Sequence, residues 1–316
     1  MNYINEKEEN LKKRVIPQTK KPDFEEFWQR QVEFLRSVPI KYTKTKMKTP
    51  WDKYLTYYDV TFTTHDNTVI NAYFSHPNDI KGKLPCVVRY GGGGSSRTFY
   101  TEMPLLGVCC FSIDNRSQGG VTFDKADYQH GDDFRGALMT HNLLDKETFY
   151  MRNLYLDAIR AIDVVSLFEE VDADKIVTFG ESQGGALSIV AAALSGKVLK
   201  TYPSVTSYAC IPQRVEAGSG VFGAVKNYLS RHTHEVDQAF DTLSYFDINN
   251  MVSLLKVPSL FCLGMIDPIC IPEFVYSAFV HAGGDKKIEF MPFTGHSTSF
   301  EAWTKIRYEL AELENL

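Results

Sequence analysis

The chain has few cysteines, no long apolar run and no excess of basic residues, and each shortage removes a class of function. Its six cysteines include no Cys-x-x-Cys pair, so neither a thiolate zinc site nor a dithiol redox motif is suggested. Cys86, Cys109, Cys110 and Cys262 lie in apolar, strand-like runs, where cysteine behaves as a small buried hydrophobe. Cys109 and Cys110 are adjacent, so on a strand they face opposite sides. No stretch approaches the ~20 apolar residues of a membrane span. Residues 1–21 lack the apolar core of a secretory signal, so a cytoplasmic protein is expected. A net charge of -5 argues against nucleic acid or an anionic membrane as partner. The one basic stretch, Lys12-Lys13-Arg14 through Lys20-Lys21, reads as a solvated N-terminal tail. Four consecutive glycines, Gly91 to Gly94, have no Gly-Lys-Ser/Thr behind them, which excludes a Walker phosphate loop.

What remains is an ordinary globular composition, 44% hydrophobic and 23% charged over 316 residues, with no repeat or low-complexity tract. Phe24, Phe27, Trp28, Val32 and Leu35 recur at helical spacing after Pro22-Asp23. Tyr54 to Thr64 and Thr68 to Phe74 read as a hairpin turning at His65-Asp66-Asn67. Leu84 to Tyr90, Gly107 to Ile113, Lys175 to Phe179, Ser204 to Ile211, Val257 to Leu263 and Lys287 to Met291 have the short apolar character of buried strands. Helical patterns lie between them, the clearest from Glu147 to Phe168. This alternation predicts a mostly parallel central sheet with helices on both faces. The expected organisation is one α/β domain over 1–316, with 1–50 as a tail and helix extension and 212–242 as a candidate cap or lid excursion.

Loops at the carboxyl ends of such strands hold active sites. One of them reads Gly180-Glu181-Ser182-Gln183-Gly184, placed directly after Ile176-Val177-Thr178-Phe179 and directly before a small, apolar run. Strand, sharp turn and helix with a serine at the apex is a nucleophile elbow, and small residues let the helix pack close to the incoming strand. A serine hydroxyl needs a base, and the base needs an orienting acid. On α/β-hydrolase folds the chain order is serine, acid, histidine. Asp267 is the first acid after the Val257 strand and His296 follows the last strand, so Ser182, Asp267 and His296 are the candidate triad. Asp241 and Asp247 precede that strand and read as cap or turn residues. His281 closes a helix, where a cation suits the C-terminus. His232 and His234 lack a third ligand at convincing spacing and read as surface residues, so no metal is expected. Oxyanion donors are expected from the Gln183 amide and from the glycine run.

Beyond the triad, Asp23-Phe24-Glu25-Glu26-Phe27-Trp28, Tyr58-Asp59-Val60-Thr61-Phe62, Leu84-Pro85-Cys86-Val87-Val88, Gly184-Gly185 and Leu243-Ser244-Tyr245-Phe246-Asp247 carry a resemblance. Over nearly its whole length the chain resembles the acetyl xylan esterase and cephalosporin C deacetylase family of α/β-hydrolases. The family's Arg-Gly-Gln, Gly-x-Ser-Gln-Gly and His-Glu signatures fall at Arg116-Ser117-Gln118, Gly180 to Gly184 and His296-Ser297. The resemblance implies the triad already named and oxyanion amides at Gln183 and Gly93. It also implies structural roles for Arg116, Gln118, Gly180 and Gly184, and substrate contacts at Gly92, Tyr90 and Pro203. It further implies a cofactor-free deacetylase of small acetylated substrates and a homo-oligomer, a hexamer in the family. Three positions depart from the pattern: Ser117 for glycine, Ser297 for glutamate and Gly93 for tyrosine. The last is expected to enlarge the acyl or leaving-group side of the pocket unless Tyr90 or Phe99 fills the space. A peptidase or lactone hydrolase on the same fold, or a non-catalytic binding protein, are the alternative readings, the last disfavoured because no triad position is lost.

Overall fold

The apolar runs assemble into one sheet. The computed structural model describes residues 2–132 and 137–313. Among these, nine strands form: β1 (Tyr42–Met47), β2 (Leu55–Thr63), β3 (Val69–Pro77), β4 (Leu84–Tyr90), β5 (Cys109–Ile113), β6 (Val171–Glu181), β7 (Val198–Ser204), β8 (Ser259–Gly264) and β9 (Lys286–Met291). Their spatial order is β1-β2-β3-β5-β4-β6-β7-β8-β9. The first three strands and the β3–β5 junction are antiparallel, and from β5 to β9 every pairing is parallel. β4 and β5 are wholly buried, as strands covered on both faces must be, which is why they read as unbroken apolar runs. Two apolar layers result, with Cys109 in one and Cys110 in the other. All six cysteines are buried and unpaired.

Helices supply both covers. Tyr150–Val165 is buried at every position. Phe24–Ser37 inserts Trp28 against Tyr155 and Phe246, and the indole N–H donates to the Tyr245 carbonyl at 2.9 Å. The excursion between β7 and β8 is helical at Ile211–Ala217, Phe222–Arg231 and Val236–Ser244.

Three expectations need correction. The strand expected at Ser204 to Ile211 is β7, six residues earlier. Val205, Tyr208 and Cys210 have positive φ and form a buried irregular loop, so their apolar character reflects burial alone, which periodicity cannot separate from a strand. β1 escaped notice because Tyr42-Thr-Lys-Thr-Lys-Met47 is a charged edge strand with no buried face, a composition that blunts an open sheet edge. The N-terminal stretch is also docked, not a solvated tail. Tyr3–Lys12 is helical and buries Leu11. Past it, the Ile16 amide donates to Ser277 Oγ at 2.9 Å and the Thr19 amide to Asn250 Oδ1 at 2.9 Å.

β4 lies between β5 and β6, so the chain leaves it toward one side of the sheet and later returns on the other. That reversal opens a crevice at the carboxyl ends of β4 and β6, where α/β sheets bind ligands. The glycine run and Ser182 stand on those two ends.

Candidate active site

Ser182 links β6 to the helix Gln183–Leu194 with φ 58° and ψ -120°, a positive-φ conformation that a non-glycine residue holds only under constraint. The constraint is tight packing. A Cβ on Gly180 would sit 2.2 Å from the Gly184 carbonyl carbon, and one on Gly184 would sit 2.1 Å from the Tyr90 carbonyl oxygen. Those two glycines let β6, the helix and β4 meet, and the turn places the half-buried serine at the sheet edge. The Ser182 amide donates to the Ser204 carbonyl at 3.0 Å, and its own carbonyl accepts from the Ser207 amide at 2.9 Å.

Asp267 and His296 come together from loops after β8 and β9. His296 Nδ1 and Asp267 Oδ2 are 2.8 Å apart. The other carboxylate oxygen accepts from the Ile269 and Cys270 amides at 2.8 and 2.9 Å, which fixes the acid while it is buried. The Asp267 hydrogen bond, and then that of the Cys270 thiol, raises the imidazole above its ordinary value against an opposing effect of burial. Among the described residues the Ser182 hydroxyl is not hydrogen-bonded to this imidazole. Such bonds are commonly long before substrate binds. Because only neutral imidazole can accept the serine proton, a raised pKa moves the acid limb of activity upward. We expect kcat/KM to fall on acidification with a midpoint above the ~6.5 of free histidine. A kcat/KM profile that stays level from about pH 5 to 8 would remove His296 as the base.

The glycine loop after β4 backs onto the elbow. A Cβ on Gly92 would approach Ser182 Cβ at 4.0 Å, and one on Gly93 would approach Gln183 Oε1 at 3.7 Å. The loop is held by a reciprocal amide pair: Gln118 Nε2 donates to Gln183 Oε1 at 2.9 Å and Gln183 Nε2 to Gln118 Oε1 at 2.8 Å. Gln118 Oε1 also accepts from the Gly94 amide at 3.1 Å. Thus two motifs 65 residues apart are two halves of one lock on the glycine loop. Arg116 is buried and anchors the β5 side of it, pairing with Asp157 at 2.6 Å and with Asp66 and Asp124 at 2.8 Å each. None of the three acids carried a motif in the sequence. They lie on three separate segments, and only folding brings them to one guanidinium.

Other candidates fall elsewhere. Tyr90, expected at the substrate, points its ring into the core and donates its hydroxyl to the Ala158 carbonyl at 2.8 Å. Pro203 is buried within β7, opposite Gly180. Both are corrections with one cause: β4 and β7 are interior strands covered on both faces. Asp247 caps a short helix and accepts from the Cys210 and Ile211 amides at 2.8 Å each. His281 ends the helix Pro272–His281 and contacts the Ile16 carbonyl at 2.9 Å. His232 stacks on Tyr228, and His234 is exposed beside Glu235. Asp267, Cys270 and His296 place potential metal donors within 4.8 Å of one another. That set is the acid–histidine pair with a buried thiol beside it, and Nδ1 is already committed to Asp267.

The family model described as acetyl xylan esterase matches residues 1–310. An acetyl esterase, Axe7A, of Xylanibacter ruminicola is 26% identical over 307 residues, covering 90% of this chain. The match spans 66% of that relative's length. Among solved structures, an acetyl xylan esterase from Paenibacillus sp. R4 superposes with a TM-score of 0.89 at 30% identity, covering 100% of this chain and 99% of that one. Acetyl xylan esterase 1 from Thermoanaerobacterium sp. JW/SL YS485 gives 0.87 at 25% identity, with 96% and 98% covered. With a family model and full-length structural likeness in agreement, this chain belongs to the acetyl xylan esterase family of α/β-hydrolase fold carboxylic ester hydrolases.

Proposed function

We propose that this protein removes acetyl groups from small acetylated substrates, such as acetylated xylo-oligosaccharides or cephalosporin C, through an acyl-enzyme on Ser182. The observation that carries the reading is the oriented His296–Asp267 pair on the same sheet edge as a strained, half-buried elbow serine. Ser182 Oγ attacks the ester carbonyl carbon while His296 takes its proton. The oxyanion is held by the Gln183 and Gly93 amides, each contributing on the order of 3 kcal/mol. The C–O bond to the alcohol then breaks, and His296 returns the proton to the departing oxygen. Water, deprotonated by His296, releases acetate and restores the serine. A binding-only role is disfavoured because an unused triad has no reason to keep its acid buried and hydrogen-bonded to its histidine. A cytoplasmic location accords with six unpaired thiols, and a homo-oligomer is carried as part of the proposal from the family resemblance. Hydrolysis of p-nitrophenyl esters of increasing acyl length, beside acetylated xylo-oligosaccharides and cephalosporin C, tests the reading. Failure on every acetyl ester would end it.

Acyl preference is the finer part of the proposal. A cavity of about 390 Å³ is bordered by Gly93, Gln183, Leu138, Met139 and Val221 among others, and Val221 comes from the β7–β8 excursion. Neither candidate filler occupies it. Tyr90 is turned into the core, and Phe99 stacks on Tyr73 with ring centroids 4.0 Å apart. Gly93 does not need to be glycine, because an added Cβ would meet nothing closer than 3.7 Å. Propionyl and butyryl esters are therefore expected to be accepted. In Gly93→Tyr the butyryl-to-acetyl ratio of kcat/KM should drop on the order of tenfold, the scale for a methylene that no longer fits. An unchanged ratio would disprove the enlarged acyl pocket.

A further inference from the structure

We propose that Glu181, the residue before the nucleophile, is a positioning residue that sets the spacing between Ser182 and His296. This rests on the ester-hydrolase reading above. His296 lies in a stretch without regular structure between β9 and the helix Phe300–Glu312. Apart from those of Thr298, the anchors of that stretch are local or reach the loop after β8: the Thr294 amide donates to the Met291 carbonyl at 3.3 Å and the Ser297 amide to the Gly295 carbonyl at 3.0 Å, while the Ile266 amide donates to the Thr294 carbonyl at 3.3 Å and His296 Nδ1 meets Asp267. None of these bonds reaches β6. The side-chain tie to the serine's own strand comes from Glu181. Its Oε1 accepts from the Thr298 amide at 3.0 Å and also from the Thr298 hydroxyl. Thr298 Oγ1 in turn shares a hydrogen bond of 2.7 Å with Ser204 Oγ, and the Ser204 carbonyl accepts from the Ser182 amide at 3.0 Å.

A closed circuit follows. Starting at Ser182, it runs through the peptide bond to Glu181, across the carboxylate to Thr298, through the paired hydroxyls to Ser204, and back to the Ser182 amide. Both ends of the reactive pair are within two residues of it, Ser182 as a member and His296 two positions before Thr298. Two donors of one residue converging on a single carboxylate oxygen make a charge-assisted contact that holds Thr298 against Glu181. Where the family signature reads His-Glu, this chain has His296-Ser297, and the carboxylate that touches the histidine loop is supplied from the elbow.

Base and nucleophile must hold their separation through both proton transfers, and misplacement by about 1 Å costs on the order of 100-fold in rate. The test compares full-length wild type with Glu181→Ala, Glu181→Gln, Thr298→Val and the Ala/Val double variant. For each, kcat, KM and the pH profile on p-nitrophenyl acetate are read beside hydrogen exchange of the 294–299 amides. In Glu181→Ala, kcat should fall about 10- to 100-fold with KM within about twofold. The acid-limb midpoint should stay in place, and the Thr298 amide should lose protection. Glu181→Gln should recover most of the rate, because an amide oxygen accepts both bonds. Thr298→Val should be intermediate, keeping the backbone bond, and the double variant no worse than Glu181→Ala. Wild-type kcat in Glu181→Ala, a Gln variant as impaired as Ala, or a rate loss that tracks only the folded fraction overturns the proposal. Should wild type hydrolyse no ester, the function reading fails separately. The tie is then judged by exchange alone, and unchanged Thr298 protection in Glu181→Ala refutes it.

Discussion

Ser182→Ala is expected to lower ester hydrolysis by about 10⁴- to 10⁶-fold, to the residual rate supplied by oxyanion stabilisation and binding. The substitution removes one oxygen from a half-buried apex whose hydroxyl carries no hydrogen bond to His296, so thermal unfolding should be unchanged within about 1 °C (changes of this kind stay within roughly 0.5 kcal/mol). His296→Ala should be nearly as severe, since without it the serine keeps its proton. The double variant should be little worse than either single, because base and nucleophile act in one step and cannot be lost twice. Purified Ser182→Ala that turns over p-nitrophenyl acetate near the wild-type rate would mean that another group is the nucleophile.

Arg116→Met should be the most damaging change to stability among the site residues, by about 3–5 kcal/mol, seen as a melting temperature lower by on the order of 10 °C. The guanidinium is wholly buried and pairs with Asp66, Asp124 and Asp157. Burial alone would lower its pKa, but the three carboxylates, Asp157 foremost, hold it well above the usual range. The acids respond unequally. Asp157 is raised to about 6 by burial despite Arg116. Asp66, less deeply buried, is depressed to about 2 because Arg116 outweighs its burial. Asp66 therefore contributes stability that is present above the ordinary carboxylate range and is lost as pH falls through its depressed value. Removing the cation leaves Asp157 ionised and unpaired, or forces it to protonate. Arg116→Met combined with Asp157→Leu should thus be less destabilised than Arg116→Met alone, measured by calorimetry at neutral pH. Equal melting temperatures for the two would show that the unpaired Asp157 charge is not the source of the loss. Activity of the folded Arg116→Met fraction should also fall. The Arg116 carbonyl accepts from the Tyr150 hydroxyl at 2.8 Å, and Gln118 two residues on restrains the Gly94 amide.

The sequence alone located all but one of the parallel strands and the three residues proposed as the catalytic centre. Buried parallel strands advertise themselves as short apolar runs, and an elbow needs its glycines and serine contiguous, because that turn is made by neighbours in the chain. The acid and histidine were legible for a related reason: each sits just past a recognisable strand, so chain order stood in for position. Tertiary structure decided the rest. β1 carried no apolar face to read. The family resemblance implied substrate contacts at Tyr90 and Pro203, yet the burial of β4 and β7 turned both inward. The Gln118–Gln183 lock, the three acids around Arg116 and the Glu181–Thr298 tie join residues 8 to 117 positions apart. A hydrogen bond between distant side chains depends on where the folded backbone places both partners, and no local pattern of residue types encodes that placement.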